Sequence, residues 1–277
     1  IKKVYGIFNG TSNYILSSMD NDNKGFKEVL SQAKFLGYAE SNPSSDLNGE
    51  DVSSKLKILS SLCFNSFINN NIHVEGIKDI DKEDIDNANI LGYKIKLLGY
   101  AELINKNIYQ RVHPVLIKKT SYVASIDGVL NAVIINGFPV GQSIIQGEGA
   151  GPAATTSALV SDISSILRGN IKFPFSISNK ERKKLKFKDI SERSFSAYLK
   201  FVVKDKSGVL SNITKVFSKK NVSIKRLIQN PNKNKESSSI IIITHISKDK
   251  SLNSILQSIG KKNYVIKKPK LIRIDDN

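Results

Sequence analysis

Two hydrophobic periods run through the chain and divide it into elements. In "FKEVLSQAKFL", apolar residues fall at Phe26, Val29, Leu30, Ala33 and Leu36. That three-and-four spacing predicts one buried helix face, with Gly37 as its C-terminal stop. A second such face, Val52, Leu56, Leu59 and Leu62/Cys63, predicts a helix through "DVSSKLKILSSLCF". Asp46 and Asn48 are its candidate caps, and the acids early in its first turn suit the helix dipole. From Val74 to Ile145 the pattern turns mixed: "NILGYKIKLLGYAEL" and "NIYQRVHPVLI" read as strands, and "ASIDGVLNAVIINGF" as strand, turn, strand, with Asp127-Gly128 and Asn136-Gly137 as turn signals. "QGEGAGPAATTSALVSDISSIL" reads as a glycine-rich loop followed by a helix. Residues 166–194 lose periodicity. Then "FSAYLKFVVKDKSGVLSNITKVFSKKNVSIKRLIQ" restarts it as strand, turn, helix and strand, followed by the strand "SSSIIIITHIS", the helix "SLNSILQSIGKK" and an edge-like strand in "YVIKKPKLIRI". The order is βαββαβ, a ferredoxin-like layout.

These elements predict an α/β (α+β) domain with a mixed sheet at 1–165, a basic linker at 166–194, and a ferredoxin-like βαββαβ module at 195–277. Charge follows the same division. The formal net charge is +17, but residues 1–165 carry −2 of it and residues 166–277 carry +19. A basic half raises nucleic acid as a partner. The lysines, however, are scattered in a chain also rich in Asn and Ile, and there is no Trp, aromatic stacking series or zinc spacing. Nucleic-acid binding is not expected. No apolar run is long enough to span a membrane, and no signal peptide is evident. The single cysteine, Cys63, fits a reducing compartment and a buried small hydrophobe. His73, His113 and His245 lack metal-ligand spacing, so no metal site is expected.

The chemistry concentrates in "GYAESNPSSDLNGEDVSSK", Gly37 to Lys55. Asp51 and Lys55, four apart, share a helix face. One reading is an exposed helix ion pair worth about 0.3–0.5 kcal/mol. The other is a site: Gly37, Pro43 and Gly49 bend the chain so that Glu40, Asp46 and Asp51 converge on the lysine. A lysine beside carboxylates can donate a proton, and a separate carboxylate can hold a substrate ammonium. The spacing alone names no reaction.

"GIFNGTSNYIL", "LGYAESNPSSDLNGEDVSSKLKIL", "IKLLGYAE", "RVHP", "NAV" and "GEGAG" occur in this order. Together they resemble the catalytic and dimerisation region of homoserine dehydrogenase, over roughly residues 1–165. Residues 196–275, with "DKSGVLSNIT", resemble an ACT domain, a small amino-acid-binding module. The resemblance implies NAD(P)-dependent interconversion of L-aspartate 4-semialdehyde and L-homoserine, in the cytoplasmic biosynthesis of threonine and methionine. By position it implies Lys55 as proton donor, Glu40, Asp46 and Asp51 as substrate-binding residues, and Asn9, Gly10, Thr11, Gly149 and Gly151 on the cofactor side. It implies Asp205, Gly208, Val209 and Leu210 around an amino-acid effector, with threonine the first candidate, and a homodimer or homotetramer. The family's dinucleotide-binding domain precedes "NGTSNY", as do its second catalytic lysine and cation site. The chain is therefore expected to be a C-terminal portion, inactive without that domain. The alternative is a non-catalytic amino-acid-binding regulator that keeps the first domain for dimerisation.

Overall fold

A computed structural model describes residues 1–68, 70–170, 178–231 and 236–275. The chain divides into two compact units, Ile1–Pro114 with Lys118–Lys188, and Val115–Ile117 with Asp189–Asn277.

In the first unit, in chain order, come β1 (Lys3–Ile7), α1 (Gly10–Asn21), α2 (Phe26–Phe35), α3 (Ser44–Asn48), α4 (Glu50–Phe64), β2 (His73–Val74) and α5 (Lys82–Ile90). There follow β3 (Tyr93–Ile104), β4 (Asn107–Lys118), β5 (Leu130–Gly137), β6 (Gly141–Glu148), α6 (Pro152–Leu167) and β7 (Lys186–Lys188). The strand order is β6-β5-β1-β3-β4, with β1 antiparallel to both β3 and β5. β1 is buried along its whole length, and α1 and α4 pack on these central strands. β2 and β7 add short parallel pairings to β4.

Two features of this sheet fix the position of the residues after β1. Gly6 and Gly99 face each other across β1 and β3. A Cβ on Gly99 would stand 2.7 Å from the Phe8 ring, and one on Gly6 would stand 2.8 Å from it. The paired bare positions form a slot for that ring, which is 3% exposed. The second feature is Lys96 on β3, fully buried. Its Nζ donates to the Ile126 carbonyl at 2.6 Å, Asp127 Oδ1 at 2.7 Å and Asn13 Oδ1 at 3.1 Å. Asn13 in turn donates to the Ile126 and Leu130 carbonyls. The cluster ties α1 to β3 and to the turn before β5. Burial pulls the Lys96 ammonium below its ordinary value, against the opposing pull of Asp127. Partial burial raises the Asp127 carboxyl, but hydrogen bonds and charge from Lys96 and Lys94 outweigh it and hold it at about 2, from an ordinary 3.8.

The second unit holds β8 (Ser194–Lys204), α7 (Val209–Lys219), β9 (Ile224–Pro231), β10 (Ser237–Thr244), β11 (Ser247–Lys248), α8 (Asp249–Gly260) and β12 (Lys270–Asp275). The sheet order β12-β8-β10-β9 is that of a ferredoxin-like module, with antiparallel neighbours throughout. Its core joins Phe201 and Ile240 on the sheet to Ile213, Phe217, Leu252 and Ile255 on the helices. Phe201 and Phe217 meet edge-on at 6.4 Å. Arg273 Nε donates to Asp249 Oδ1 at 2.7 Å, both groups buried, and Asn253 donates to Asp249 Oδ2 at 2.7 Å.

The elements differ from expectation in several places. "KEDIDNANI" forms α5, opened by a capping box between Asp81 and Asp84, in a stretch to which the pattern assigns no element before "NILGYKIKLLGYAEL". Asp46 and Asn48 lie inside α3 rather than capping α4, whose N-cap is Gly49 at φ +83 with no side-chain cap bond. Residues 122–125 form a 3₁₀ turn, not a strand, because the Lys96 cluster draws Ile126 and Asp127 inward. Part of 166–194 is ordered as β7, and residues 171–177 lie outside the described ones. β12 is not an edge: it pairs with β8 and, in parallel, with Val115–Ile117.

These contacts set three expected outcomes. Lys96→Ala leaves the Asp127 carboxylate and the Ile126 carbonyl each one donor short and opens a buried polar void; a loss of about 3 kcal/mol is expected in denaturant unfolding. Gly99→Ala crowds the Phe8 ring and is expected to cost about 1–3 kcal/mol in the same assay. The Asp127 carboxyl is depressed, so the stability it contributes is complete above pH 3.8 and is lost as pH falls toward about 2. Asp127→Asn should flatten that acid limb in a melting-temperature series.

Candidate active site

β1 ends at Ile7, and the Phe8 ring is seated between Gly6 and Gly99. That seating aims the Phe8 carbonyl at α4, where Lys55 Nζ donates to it at 2.9 Å. The same Nζ lies 2.9 Å from Asp51 Oδ2. Alone, this partly exposed pair one helical turn apart would be worth a few tenths of a kcal/mol. Here the lysine is also held to a main-chain atom 47 residues away in sequence, which fixes where its charge stands.

Asn9 caps α1, accepting from the Ser12 N–H at 2.8 Å through Oδ1. Its Nδ2 donates to Asp46 Oδ1 at 2.7 Å and to Asp51 Oδ2 at 2.9 Å. Gly49 in its left-handed conformation separates α3 from α4 and lets both carboxylates approach one amide. Asp46, Asp51 and Lys55 are thus brought together at the end of β1.

Glu40 lies in the turn after α2, exposed, and its carboxylate has no hydrogen-bond or ion-pair partner among the described residues. The turn itself is tied to α1: Thr11 Oγ1 donates to the Tyr38 carbonyl at 2.6 Å, and the Tyr14 and Tyr38 rings stand 4.9 Å apart. Gly10 begins α1, where a Cβ would press on the Val129 carbonyl at 2.8 Å.

Beside Lys55 opens a largely apolar cleft of about 290 Å³, lined by Ile7, Phe8, Ile58, Leu59, Asn131 and Val133. Asn131 Oδ1 is buried there without a partner among the described residues. Gly149 packs on the same asparagine so closely that a Cβ would collide with its amide. Gly151 stands at φ +110 as the N-cap of α6, with Pro152 in the first turn. β6 is exposed along its length, and α6 has no buried residue.

In the second unit, Asp205, Gly208, Val209 and Leu210 line one pocket of about 250 Å³, with Lys206 and Gln229. Gly208 takes φ +84 between the strand β8 and the helix α7.

Among the described residues no group of His, Cys, Asp and Glu could hold a metal ion. His113 instead accepts from Arg111 Nε at 2.9 Å and donates through Nδ1 to the Pro114 carbonyl. His73 pairs with Glu75 at 2.6 Å. Cys63 is partly buried, and burial pushes its thiol up. No described helix is long and apolar enough to cross a membrane.

Sequence reasoning missed the Phe8 carbonyl, Asn131 and Lys96. A main-chain acceptor leaves no trace in residue type. Lys96 did leave one: a lysine in the middle of the apolar run "IKLLGY" has to find partners when the strand is buried.

Comparison with known proteins agrees with this architecture. A family model described as homoserine dehydrogenase matches residues 1–164. A model described as an AHAS small subunit-like ACT domain matches residues 199–267. Homoserine dehydrogenase of Neisseria gonorrhoeae is 37% identical over 282 residues, covering 99% of this chain and 65% of the relative. That of Helicobacter pylori is 36% identical over 272 residues, covering 98% of this chain and 64% of the relative. The crystal structure of a homoserine dehydrogenase from Thiobacillus denitrificans superposes with a TM-score of 0.90 at 33% identity, over 100% of this chain and 64% of that one. The chain therefore spans a little under two thirds of the length of the relatives it matches. On the strength of the match over residues 1–164 and of relatives above 30% identity along nearly the whole chain, it belongs to the homoserine dehydrogenase family.

Proposed function

We propose that the protein carrying this chain interconverts L-aspartate 4-semialdehyde and L-homoserine with NAD(P), and that the end of β1 is where the amino-acid substrate is held. One observation carries the reading: an ammonium fixed by Asp51 and the Phe8 carbonyl at the mouth of an apolar cleft, with two carboxylates beside it. Lys55 is suited to hold a proton at the aldehyde oxygen and to give it up as the alkoxide develops. Asp46 and Asp51 offer negative charge to the substrate ammonium. Glu40, exposed and unpartnered among the described residues, is suited to the same task from the turn after α2.

The nicotinamide cofactor, when bound, gives or takes up the hydride. The described residues fit a ligand on that side in a limited way. Asn131 Oδ1 offers an acceptor without a protein partner among them, and the bare backbone of Gly151, with open space around it, allows close approach. Among them no strand–G-x-G-x-x-G–helix unit reads a dinucleotide. The pocket at Asp205–Leu210 is proposed to take a free amino acid, threonine first, as a regulator.

Steady-state kinetics on the complete gene product tests the reading. Lys55→Ala should lower kcat by about 10²–10⁴-fold with little change in KM, and Glu40→Gln should mainly raise KM for the semialdehyde. Near-normal turnover of Lys55→Ala would contradict it. For the regulator, calorimetric titration with L-threonine should show saturable binding that Gly208→Val removes, since a β-branched residue resists positive φ.

A further inference from the structure

We infer that Asn9 is a positioning residue for the acid–lysine group and not a cofactor contact. The inference rests on the dehydrogenase reading for its catalytic consequence, but its geometry stands apart from that reading. Asn9 is 5% exposed. Its amide nitrogen has two hydrogens, and both are spent, one on Asp46 Oδ1 and one on Asp51 Oδ2. Its oxygen accepts from the Ser12 N–H. A ligand reaching for the Asn9 amide would have to break one of these bonds.

The amide acts through what it holds. Two carboxylates drawn together repel each other, and one amide between them offsets that while fixing which oxygen each turns inward. Asp51 Oδ2 is shared between Asn9 Nδ2 and Lys55 Nζ, at 2.9 Å each. The rotamer of Asp51 is thereby set from one side by Asn9, and the place of the ammonium is set by Asp51 and Phe8. Asp46 Oδ2 and Asp51 Oδ1 have no partner among the described residues. These are the two oxygens left for a substrate ammonium. Asn9 also caps α1, which the Lys96 cluster anchors, so the backbone that carries the amide is itself held.

The test separates capping from donation. Asn9→Ser keeps an N-cap acceptor, since serine caps about as well as asparagine, but it has no donor that spans both carboxylates. In the complete gene product Asn9→Ser is expected to melt close to the parent and to lose about 10–100-fold in kcat for semialdehyde reduction. KM for NAD(P)H should stay within about twofold. Asn9→Asp, equal in size and cap but acceptor only, should do at least as much damage. In an Asp51→Asn background the Asn9→Ser effect should shrink to a few-fold, because coupled residues are not additive. Unchanged kcat in Asn9→Ser, a loss confined to KM for NAD(P)H, or an undiminished effect in the Asp51→Asn background would each overturn the inference.

If the parent protein shows no turnover, the dehydrogenase reading fails and the positioning role is read by NMR instead. In protein labelled with ¹⁵N-asparagine, the Asn9 side-chain amide signal, identified by its loss in Asn9→Ser, should move in both Asp46→Asn and Asp51→Asn. A signal that stays in place in both would overturn it.

Discussion

Everything at the proposed site depends on one charge being held in one place: the Lys55 ammonium between Asp51 and the Phe8 carbonyl. A lysine on a helix surface is ordinarily a mobile group in water, and an ion pair to its own helix barely restrains it. The main-chain carbonyl changes that, because it cannot swing away. Its direction is set by β1, a fully buried central strand, and by the Phe8 ring lodged over Gly6 and Gly99. The sheet interior thus determines where a surface cation stands, and the two glycines are as much a part of the site as the acids.

The same logic extends outward in layers. The acids are gathered by an amide rather than by further cations, which leaves their other oxygens without a partner among the described residues. The helix carrying that amide is moored by a buried lysine whose four polar partners come from α1 and the turn before β5. Burying an ammonium costs free energy unless it is fully bonded. Lys96 meets that condition, so the cluster holds its geometry tightly, and removing any one partner exposes the cost. The two lysines therefore differ in role: Lys96 is sealed in and structural, whereas Lys55 faces a cleft and is partly exposed.

Much of this is legible in the residue pattern, and the failures have physical causes. The helices α2 and α4, the βαββαβ module and the convergence of Asp46 and Asp51, though not Glu40, near Lys55 follow from spacing and from Gly49, but the helix faces follow only in part: Leu36 and Leu62 are exposed, and α4 buries Ser60, Ser61 and Phe64 beside Val52 and Leu56. Asp46 and Asn48 do not cap α4, because a left-handed glycine ends α3 and begins α4 in one step. The start of "ASIDGVL" is read as a strand, but Lys96 and Asn13 both capture the Ile126 carbonyl. The α5 helix is hidden by its polar content, though the Asp81–Asp84 spacing marks its start. Asn9 is visible as part of "NGTSNY", but only coordinates tell which way an amide donates.

The measurement that bears most directly on the central claim is a crystal structure of the complete gene product with L-homoserine bound. The account predicts the ligand hydroxyl within about 3.2 Å of Lys55 Nζ, as proton transfer requires, and its ammonium against Asp46 and Asp51. Homoserine bound elsewhere in the first unit, with Lys55 still paired to Asp51 and out of reach of the hydroxyl, would contradict it.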